Sequence, residues 1–466
     1  MDEFDVVVIG GGSTGENVAW RARDHDMTAA LVESELVGGE CSYWACMPSK
    51  ALLRPAEALA AARRVPGASE AVTGSIDVDA VLARRDSVTS HWDDKYQVQW
   101  VDSIGAELVR GKGRLAGERT VEVERSDGST RTLRATKAVV VATGSHAAVP
   151  PVSGLSDIAT WDNRDITAAE EAPDSLFVLG GGPVGCEMAQ AWHSLGTEIV
   201  VLVQASERLL PRLEPFAGGE LRAAMEDQGI TVRTGEAGRA EKVERDGDGP
   251  VTVTMADGGT FTTDEIVVAA GRRPSTDDIG LETVGLEPGD WLEVDDQLRV
   301  TGVDGDWLFA AGDVNHRALL THMGKYQARV IGDVLAGQDI TAWADNRAVP
   351  SVVFTEPQIA SVGMTEATAR DAGLDVTAVS VGTGSVAGAT VLGRDIEGTC
   401  QLVIDDDRQI VVGATFTGPG VQEMLHAATV AVAGEVPLEA LWHSVPSYPT
   451  VSEVWLRLLE EYDYRL

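Results

Sequence analysis

Residues 38–50, GGECSYWACMPSK, contain two of the four cysteines in a chain of 466 residues. Cys41 and Cys46 cannot be bridged within one regular helix, because five helical residues rise about 7.5 Å and a disulfide needs Cα atoms within about 7 Å. We therefore predict that Cys41 lies in the turn after VGGE and that Cys46 lies at or just before the start of a helix. Pro48 supports this placement, since the first turn of a helix accommodates proline.

A helix N-terminus lowers the pKa of a thiol, and Lys50, four residues after Cys46, adds a positive field. A zinc site would need two further close ligands, and the sequence offers no second pair. A structural disulfide is uncommon in a cytosolic protein. We therefore predict a redox-active pair and no metal site. Cys186 and Cys400 lie alone on apolar segments and are predicted core residues.

A glycine-rich unit at the start of the chain predicts a dinucleotide site. FDVVVIGGGSTGENVAWRAR and the following TAALVES predict a strand, a glycine turn, a helix and a second strand. Gly10, Gly12 and Gly15 have the G-x-G-x-x-G spacing, which allows a tight turn, close approach of a pyrophosphate and close packing of helix on strand. Glu33 closes the second strand, where a carboxylate can accept a ribose hydroxyl.

The same pattern returns about 170 residues later, in SLFVLGGGPVGCEMAQAWHSLG, with Gly180, Gly182 and Gly185 at the same spacing. Two such units predict a flavin that stays bound and a nicotinamide nucleotide that exchanges. The hairpin-like segments TVEVERSDGSTRTLRATKAVVVATGS and VTVTMADGGTFTTDEIVVAAGRRP also echo each other, which indicates a duplication. From about residue 346, strands and a helix without a nucleotide signature predict a separate α+β domain.

Composition limits the partners and the compartment. The formal charge is −36, from 37 basic and 73 acidic residues, so the surface repels nucleic acid and anionic membranes. The acidic start MDEFDVVVIGGG has no basic region typical of a signal peptide, and no apolar run reaches the length of a membrane helix. We therefore expect a cytoplasmic protein without nucleic-acid or membrane partners. A salt-rich cytoplasm and a GC-rich genome would both explain the acidity.

With these motifs together, the chain resembles the FAD-dependent pyridine nucleotide–disulfide oxidoreductases, which include dihydrolipoyl dehydrogenase, glutathione reductase and mercuric reductase. The resemblance covers nearly the whole length. Besides the first glycine motif it is carried by GGECSYWACMPSK, VVVATGS, GGGPVGCE, AAGRRP, FAAGDV and VPSVVFTEPQIASVGMTE.

The resemblance implies an α/β protein with two Rossmann-like dinucleotide-binding domains, for FAD and NAD(P), and a C-terminal α+β dimerisation domain that makes a homodimer. The implied boundaries are 1–150 for the FAD domain, 151–273 for the NAD(P) domain, 274–345 for a return to the FAD domain, and 346–466 for dimerisation. Besides Gly10, Gly12, Gly15 and Glu33, the implied FAD contacts are Thr143, Gly144, Gly312 and Asp313. The implied nicotinamide-nucleotide contacts are Gly180, Gly182, Gly185, Gln204, Gly271 and Arg272.

The resemblance also assigns roles to the thiols and to one ion pair. Cys46 would face the flavin and form the charge-transfer thiolate, and Cys41 would be the outer thiol that exchanges with substrate. Lys50, paired with Glu187, would lie near the flavin N5 and stabilise negative charge on the reduced ring. A neighbouring carboxylate at Glu40 would raise the pKa of Cys41.

One departure from the family concerns proton transfer. The family's disulfide reductases end with His-Pro-Thr-x-x-Glu, whereas this chain has PSYPTVSE, with Tyr448 in place of the histidine and Glu453 retained. Tyrosine has an ordinary pKa near 10, so it is a poor base at neutral pH. His443 is a possible substitute, although a structural histidine is the simpler interpretation. Mercury reduction is not favoured, because the end EEYDYRL lacks the C-terminal cysteine pair of mercuric reductases.

The other departure concerns the nicotinamide nucleotide. NAD-preferring members have an acid where this chain has Gln204, in VVLVQASER, and Arg208 and Arg212 follow. These residues favour NADPH slightly over NADH. The predicted function is thus electron transfer from NADPH or NADH through FAD and the Cys41–Cys46 pair to a small acceptor: an unusual disulfide, a quinone or a metal ion. The alternatives are a dihydrolipoyl dehydrogenase with another proton relay and a flavoprotein redox sensor without turnover.

Overall fold

The computed structural model describes residues 1–463; residues 464–466, the end of the EEYDYRL segment, lie outside the described residues. In the described chain the strands are β1 (Asp2–Ile9), β2 (Ala29–Glu33), β3 (Glu107–Arg110), β4 (Lys112–Leu115), β5 (Thr120–Glu124), β6 (Thr130–Val141), β7 (Ser145–Ala147), β8 (Ser175–Leu179), β9 (Ile199–Gln204), β10 (Thr231–Thr234), β11 (Ala240–Arg245), β12 (Val251–Met255), β13 (Thr260–Thr263), β14 (Glu265–Val268), β15 (Arg272–Pro274), β16 (Leu308–Ala310), β17 (Pro350–Val353), β18 (Gln358–Gly363), β19 (Val376–Gly382), β20 (Thr399–Asp405) and β21 (Ile410–Gly418).

The helices of the described chain are α1 (Ser13–Asp24), α2 (Gly39–Tyr43), α3 (Cys46–Arg64), α4 (Val78–Val88), α5 (Lys95–Ser103), α6 (Asn163–Ala168), α7 (Pro183–Ser194), α8 (Pro215–Asp227), α9 (Thr321–Leu335), α10 (Ala344–Arg347), α11 (Glu366–Asp371), α12 (Ala387–Leu392), α13 (Val421–Ala433), α14 (Leu438–His443) and α15 (Val454–Glu461). None of the helices within residues 1–463 combines the length and the apolar character needed to cross a bilayer.

The chain divides into two compact units, each built from separated segments. Unit 1 contains Met1–Pro48, Arg85–Ala148 and Arg272–Asn346, and unit 2 contains Ser49–Arg84, Val149–Gly271 and Arg347–Leu466.

Unit 1 is built on one large sheet in the order β3-β2-β1-β6-β5-β4, with β16 on β6. The strands β3, β2, β1, β6 and β16 are parallel, and β4 and β5 complete the sheet as antiparallel neighbours. The parallel strands are continuous apolar runs, such as VVVI in β1, because helices α1 and α9 cover one face and a second apolar cluster covers the other.

Unit 2 contains three sheets. The sheet β10-β9-β8-β14 is parallel and repeats the start of unit 1, with α7 in the place of α1. The small sheet β11-β12-β13 and the five-stranded sheet β17-β18-β21-β20-β19 are antiparallel. Helices α13 and α15 pack on the five-stranded sheet through a core that includes Phe416 and Trp455.

The predicted mixed α/β fold is therefore confirmed, with one local difference. Each of the two hairpin-like segments is predicted to be a hairpin followed by a separate buried strand, but in the first the second hairpin strand and the buried strand are one continuous strand, β6, because its first half pairs with β5 and its second half with β1 and β16. In the second segment the corresponding strands, β13 and β14, are separate, as predicted, and belong to different sheets. The four-part division at 150, 273 and 345 stays a prediction.

Candidate active site

The first glycine motif forms the turn between β1 and α1 that the sequence predicts. Gly10 has φ +102° and its N–H donates to the Val32 carbonyl over 2.9 Å, which ties the turn to β2. At Gly15 an added Cβ would lie 1.8 Å from the Gly10 carbonyl oxygen, so only glycine lets α1 start this close to the strand. At Gly12 an added Cβ would meet only the Gly39 Cα, at 3.9 Å, which leaves the helix N-terminus open toward a ligand.

Glu33 ends β2, as predicted, and its carboxylate organises the same turn. The Oε2 atom accepts the Gly11 N–H over 2.6 Å, and Oε1 accepts the Glu35 N–H over 2.7 Å. Burial raises the pKa of Glu33 above its ordinary range, and these two N–H donors lower it again. A carboxylate with lone pairs left over at this position can accept a ribose hydroxyl.

The other predicted flavin residues lie at the ends of the parallel strands of unit 1. Thr143 and Gly144 follow β6, and Gly312 and Asp313 follow β16. Among the described residues the buried Thr143 Oγ1 has no hydrogen-bond partner, and an added Cβ at Gly144 would meet nothing within 4 Å. An orphan hydroxyl beside an open glycine at the carboxyl edge of a parallel sheet fits a bound dinucleotide.

Arg272 lies in unit 1 next to Asp313. The Ser145 hydroxyl donates to Asp313 Oδ2 over 2.5 Å and accepts from Arg272 Nε over 2.5 Å, and the Arg272 Nε to Asp313 Oδ2 distance is 3.7 Å. The AAGRRP motif predicts a nicotinamide-nucleotide contact for Arg272, and in the structure its side chain lies beside Asp313, a predicted flavin contact. Gly271, with φ +150°, is the last residue of its unit 2 segment.

The cysteines lie on two different helices of the chain. Cys46 is the first residue of α3, as predicted, whereas the prediction of a turn for Cys41 is wrong, since Cys41 lies on the five-residue helix α2. Trp44 and Ala45 separate the two helices. One regular helix through both cysteines would have kept the thiols too far apart to form a disulfide. Both cysteines are half-buried, and Cys186 and Cys400 are buried in apolar cores, as predicted.

Helix α9, which no sequence motif marks, contributes a side chain that contacts the cysteine pair. The Cys46 Sγ lies 3.3 Å from the Thr321 Oγ1, and the two residues are 275 positions apart in the chain. The pKa of Cys41 is raised above its ordinary value, first by its hydrogen bond with Cys46 and then by burial. The direction is the predicted one, but the largest cause is the partner thiol rather than Glu40. Thr321 and Lys325 act in the opposite direction.

Unit 2 repeats the glycine turn in detail. The Gly180 N–H donates to the Val203 carbonyl over 2.9 Å, and an added Cβ at Gly185 would lie 1.8 Å from the Gly180 oxygen. An added Cβ at Gly182 would meet nothing within 4 Å. The two turns are therefore built alike, and the second also leaves a helix N-terminus open toward a phosphate.

Gln204 ends β9 and occupies the position that Glu33 has in unit 1. Its Oε1 accepts the Gly181 N–H over 2.8 Å, and its Nε2 donates to the Ser206 hydroxyl over 2.7 Å. Arg208 turns toward its own loop, where it donates to the carbonyls of Pro211 and Leu213. Of the two arginines predicted to approach a 2′-phosphate, Arg208 is therefore bonded within its own loop. The other, Arg212, is exposed to solvent.

The predicted ion pair between Lys50 and Glu187 is present in unit 2. The Lys50 Nζ lies 2.7 Å from Glu187 Oε2, and Oε1 accepts the Phe354 N–H over 2.9 Å. Glu187 is 4% exposed, and the Phe354 ring lies under the ammonium at 4.7 Å. A cation held in this way by a buried carboxylate and an aromatic face has a fixed position and can stabilise negative charge nearby.

Tyr448 lies at the surface of the described chain. It is 78% exposed, and the Glu453 carboxylate accepts the Gly388 N–H over 3.1 Å. The retained glutamate thus stabilises the start of α12 in the described chain. His443 is the last residue of α14 and is also exposed.

Two dinucleotide-type turns, a dithiol and a fixed cation define an enzyme that moves electrons between a nicotinamide nucleotide, a flavin and a disulfide. The model of the pyridine nucleotide-disulphide oxidoreductases matches residues 4–328, and that of their dimerisation domain matches residues 349–458. The chain belongs to this family. It is accordingly an FAD-dependent NAD(P)H oxidoreductase, and its dimerisation domain supports a homodimer.

Curated relatives carry two different names. Mercuric reductases from Streptomyces lividans and Staphylococcus aureus are 31% and 29% identical; each match covers 97% of this chain and, respectively, 94% and 81% of the relative. Dihydrolipoyl dehydrogenase from Haloferax volcanii is 30% identical over 98% of this chain and 95% of its own.

Solved structures share the fold along the whole chain. LpdA from Mycobacterium tuberculosis has a TM-score of 0.86 at 24% identity, and the match covers 99% of this chain and 100% of that one. The HOCl-induced flavoprotein disulfide reductase RclA from Escherichia coli, in a complex with Cu(II), has a TM-score of 0.85 at 23% identity, with 99% of both chains covered.

Proposed function

We propose that this enzyme passes electrons from NADH or NADPH, through FAD and the Cys41–Cys46 pair, to a small acceptor that needs no proton-relay histidine. The observation that carries the proposal is that Tyr448 stands where the family's disulfide reductases have a histidine, while the accompanying Glu453 carboxylate accepts the Gly388 N–H. Tyrosine is a poorer general base than histidine at neutral pH.

The chain's residues divide the work in this proposal. The glycine turn of unit 1, Glu33 and the Thr143 hydroxyl bind FAD, and the glycine turn of unit 2 binds the nicotinamide nucleotide. The bound FAD would supply hydride acceptance and electron transfer. Two electrons and two protons would convert the Cys41–Cys46 disulfide to two thiols, with Cys46 as the inner sulfur and Cys41 as the outer one.

The acceptor takes those two electrons as the pair closes again. A quinone would take them with the two thiol protons, whereas a metal ion would take the electrons alone and the two thiol protons would go to solvent. An unusual disulfide would be opened by attack of Cys41 and released by Cys46. The mercuric reductase relatives support a metal ion among these acceptors, and the cytoplasm is the compartment we propose, since NAD(P)H is needed to recycle the dithiol.

An acceptor panel tests the proposal. The purified holoenzyme should oxidise NADH or NADPH with a benzoquinone or a thiophilic metal ion at rates at least about tenfold above those with lipoamide or glutathione disulfide. Tyr448→His should raise the lipoamide rate without changing the rate of flavin reduction. Turnover of lipoamide by the wild type at rates normal for dihydrolipoyl dehydrogenases would contradict the proposal.

A dihydrolipoyl dehydrogenase is the second candidate, because a relative of that name is 30% identical over nearly the whole chain. It would need another proton relay, and His443, at the end of α14, is the histidine that the sequence analysis offers. In that case His443→Gln should abolish lipoamide turnover and leave quinone turnover unchanged.

A further inference from the structure

Gln327 is fully buried in unit 1 and contacts the turn at Gly312 and Asp313, which is predicted to contact the flavin. It projects from α9 and is 0% exposed. Its Oε1 accepts the Gly312 N–H over 2.7 Å and the Asn315 Nδ2 over 2.9 Å. Gly312 precedes Asp313, so this glutamine is bonded to the backbone of the turn after β16.

The other end of the Gln327 amide is fixed by Asp345, on α10. The Gln327 Nε2 donates to Asp345 Oδ2 over 2.8 Å in the interior of unit 1. Because the Gly312 N–H and the Asn315 amide nitrogen are both donors, the glutamine oxygen must face them, and its nitrogen must then face an acceptor. Asp345 is that acceptor, so the polarity of the whole chain of bonds is determined.

The approach of α9 to the turn is too close for other side chains. At Gly324, one helical turn before Gln327, an added Cβ would lie 2.1 Å from Thr14 Oγ1 and 3.3 Å from the Gly312 Cα. Asn315 adds a bond from Nδ2 to the Ala310 carbonyl over 3.1 Å. The turn after β16 is therefore bonded to α9 through Gln327, and Asn315 bonds it to the end of β16. The Ser145 hydroxyl donates to the Asp313 carboxylate.

A nearby positive charge, that of Arg317, supports the role of the buried Asp345 carboxylate as a hydrogen-bond acceptor. The Asp345 side chain is fully buried, Arg317 NH1 lies 3.9 Å from Oδ2, and Arg317 is bonded through NH2 to the carbonyls of Val294 and Asp295. Burial raises the pKa of Asp345 to about 6, while Gln327 and Arg317 lower it. The Oδ2 atom thus faces a donor, Gln327, and a cation, Arg317, both of which favour an acceptor at this position.

We propose that Gln327 and Asp345 are positioning residues for the flavin: Asp345 orients the Gln327 amide, and Gln327 holds the Gly312–Asp313 backbone in the conformation that binds FAD. They act through the turn and do not touch the cofactor. The proposal is independent of the electron acceptor, since it concerns flavin binding alone.

Reversal of the hydrogen-bond polarity tests this proposal. Gln327→Glu keeps an acceptor for Gly312 and Asn315 but turns a second carboxylate oxygen toward Asp345. The two buried like charges should raise the FAD dissociation constant at least about tenfold and shift the flavin midpoint potential. Adding Asp345→Asn should restore both toward wild type, because the amide introduced at position 345 can donate to the carboxylate introduced at position 327.

Gln297→Glu is the matched control, since Gln297 is a surface glutamine of unit 1 whose Nε2 lies 3.4 Å from the Asp339 carboxylate. It makes the same charge change and should leave the FAD dissociation constant, measured by release of fluorescent flavin from diluted holoenzyme, within about threefold of wild type. A Gln327→Glu holoenzyme with wild-type FAD affinity, or a double variant as weak as the single one, would overturn the proposal. If Gln327→Glu does not fold, the double variant decides: tight FAD binding supports the proposal and weak binding contradicts it.

Discussion

At the scale of single residues, the ion pair of Lys50 and Glu187 puts charge into the interior of unit 2. Glu187 is almost fully buried and is stabilised by one ammonium and one backbone N–H. A buried ion pair contributes little net stability, but removal of one partner leaves an uncompensated charge. We propose that the pair holds a cation in place rather than stabilises the fold.

We predict that Lys50→Met lowers the free energy of unfolding by about 3 kcal/mol, because the Glu187 carboxylate loses its counter-ion. Lys50→Met combined with Glu187→Met should recover most of that loss while leaving flavin reduction by NADH slow. Urea unfolding of the purified proteins measures the first effect and anaerobic stopped-flow measures the second. A double variant no more stable than the single one would show that the charge is not the cause.

Glu16, in the first turn of α1, gives the fold a pH dependence. Burial raises its pKa from 4.5 to about 7, partly offset by Lys325. Since the folded state holds the proton more tightly, the unfolding free energy falls as the pH rises from 4.5 to 7, by up to about 3 kcal/mol. Glu16→Gln should flatten this part of the stability profile, measured by urea unfolding at several pH values, and Glu3→Gln, at an exposed position, should not. Equal slopes in both variants would contradict the assignment to Glu16.

At the scale of elements, the two strand–turn–helix units could be predicted because their signals are local. Apolar runs, glycine spacing and a polar residue at the end of the second strand fix β1, α1 and β2, and likewise β8, α7 and β9. The start of α3 at Cys46 followed from a steric limit on the disulfide. These features depend on residues within a few turns of one another.

Features that depend on distant segments could not be predicted. The Thr321 contact of Cys46 and the Gln327–Asp345 link to Gly312 join α9 to other segments through packing that no local pattern encodes. The short helix at Cys41 was missed because five residues carry too little periodicity to distinguish a turn from one helical turn. The bond from Arg272 to the Ser145 hydroxyl was not predicted, because it joins two strands that are far apart in the chain.

In the glycine turn of unit 1, we predict that Gly15 is needed for folding and Gly12 for FAD binding. Gly15→Ala should prevent folding or cost several kcal/mol, because its Cβ would lie 1.8 Å from the Gly10 oxygen. Gly12→Ala has room in the protein and should fold, but its methyl group would face the pyrophosphate and weaken FAD binding at least about tenfold. Circular dichroism and bound-flavin content distinguish the two. The reverse pattern, an unfolded Gly12→Ala and a normal Gly15→Ala, would contradict this geometry.

We predict that the end of β9 governs the choice of nicotinamide nucleotide. Gln204 is neutral and Arg208 is turned toward carbonyls, so we predict that NADH and NADPH are both used. Gln204→Glu should keep the bond to Gly181 and repel the 2′-phosphate, raising the KM for NADPH at least about tenfold and that for NADH little. Gln228→Glu, an exposed change in the same unit, is the control. An unchanged KM for NADPH in Gln204→Glu would show that another residue discriminates.

At the scale of the whole molecule, the family and the surface agree on a homodimer. Val430, Val445 and Tyr448 are 53%, 84% and 78% exposed, and all three lie within the residues that match the dimerisation domain. Apolar and aromatic side chains exposed on one chain fit a surface that a second copy covers. Tyr448 is thus one of the exposed side chains within the part of the chain that matches the dimerisation domain.

We propose that the Cys41–Cys46 pair stores electrons in addition to the flavin. Anaerobic titration of the holoenzyme with dithionite, followed by its absorption spectrum, tests this most directly. The wild type should take up about two equivalents of the two-electron reductant per flavin, and Cys41→Ser and Cys46→Ser about one. A long-wavelength thiolate–flavin band should persist in Cys41→Ser and be lost in Cys46→Ser. Uptake of one equivalent by the wild type would contradict the account.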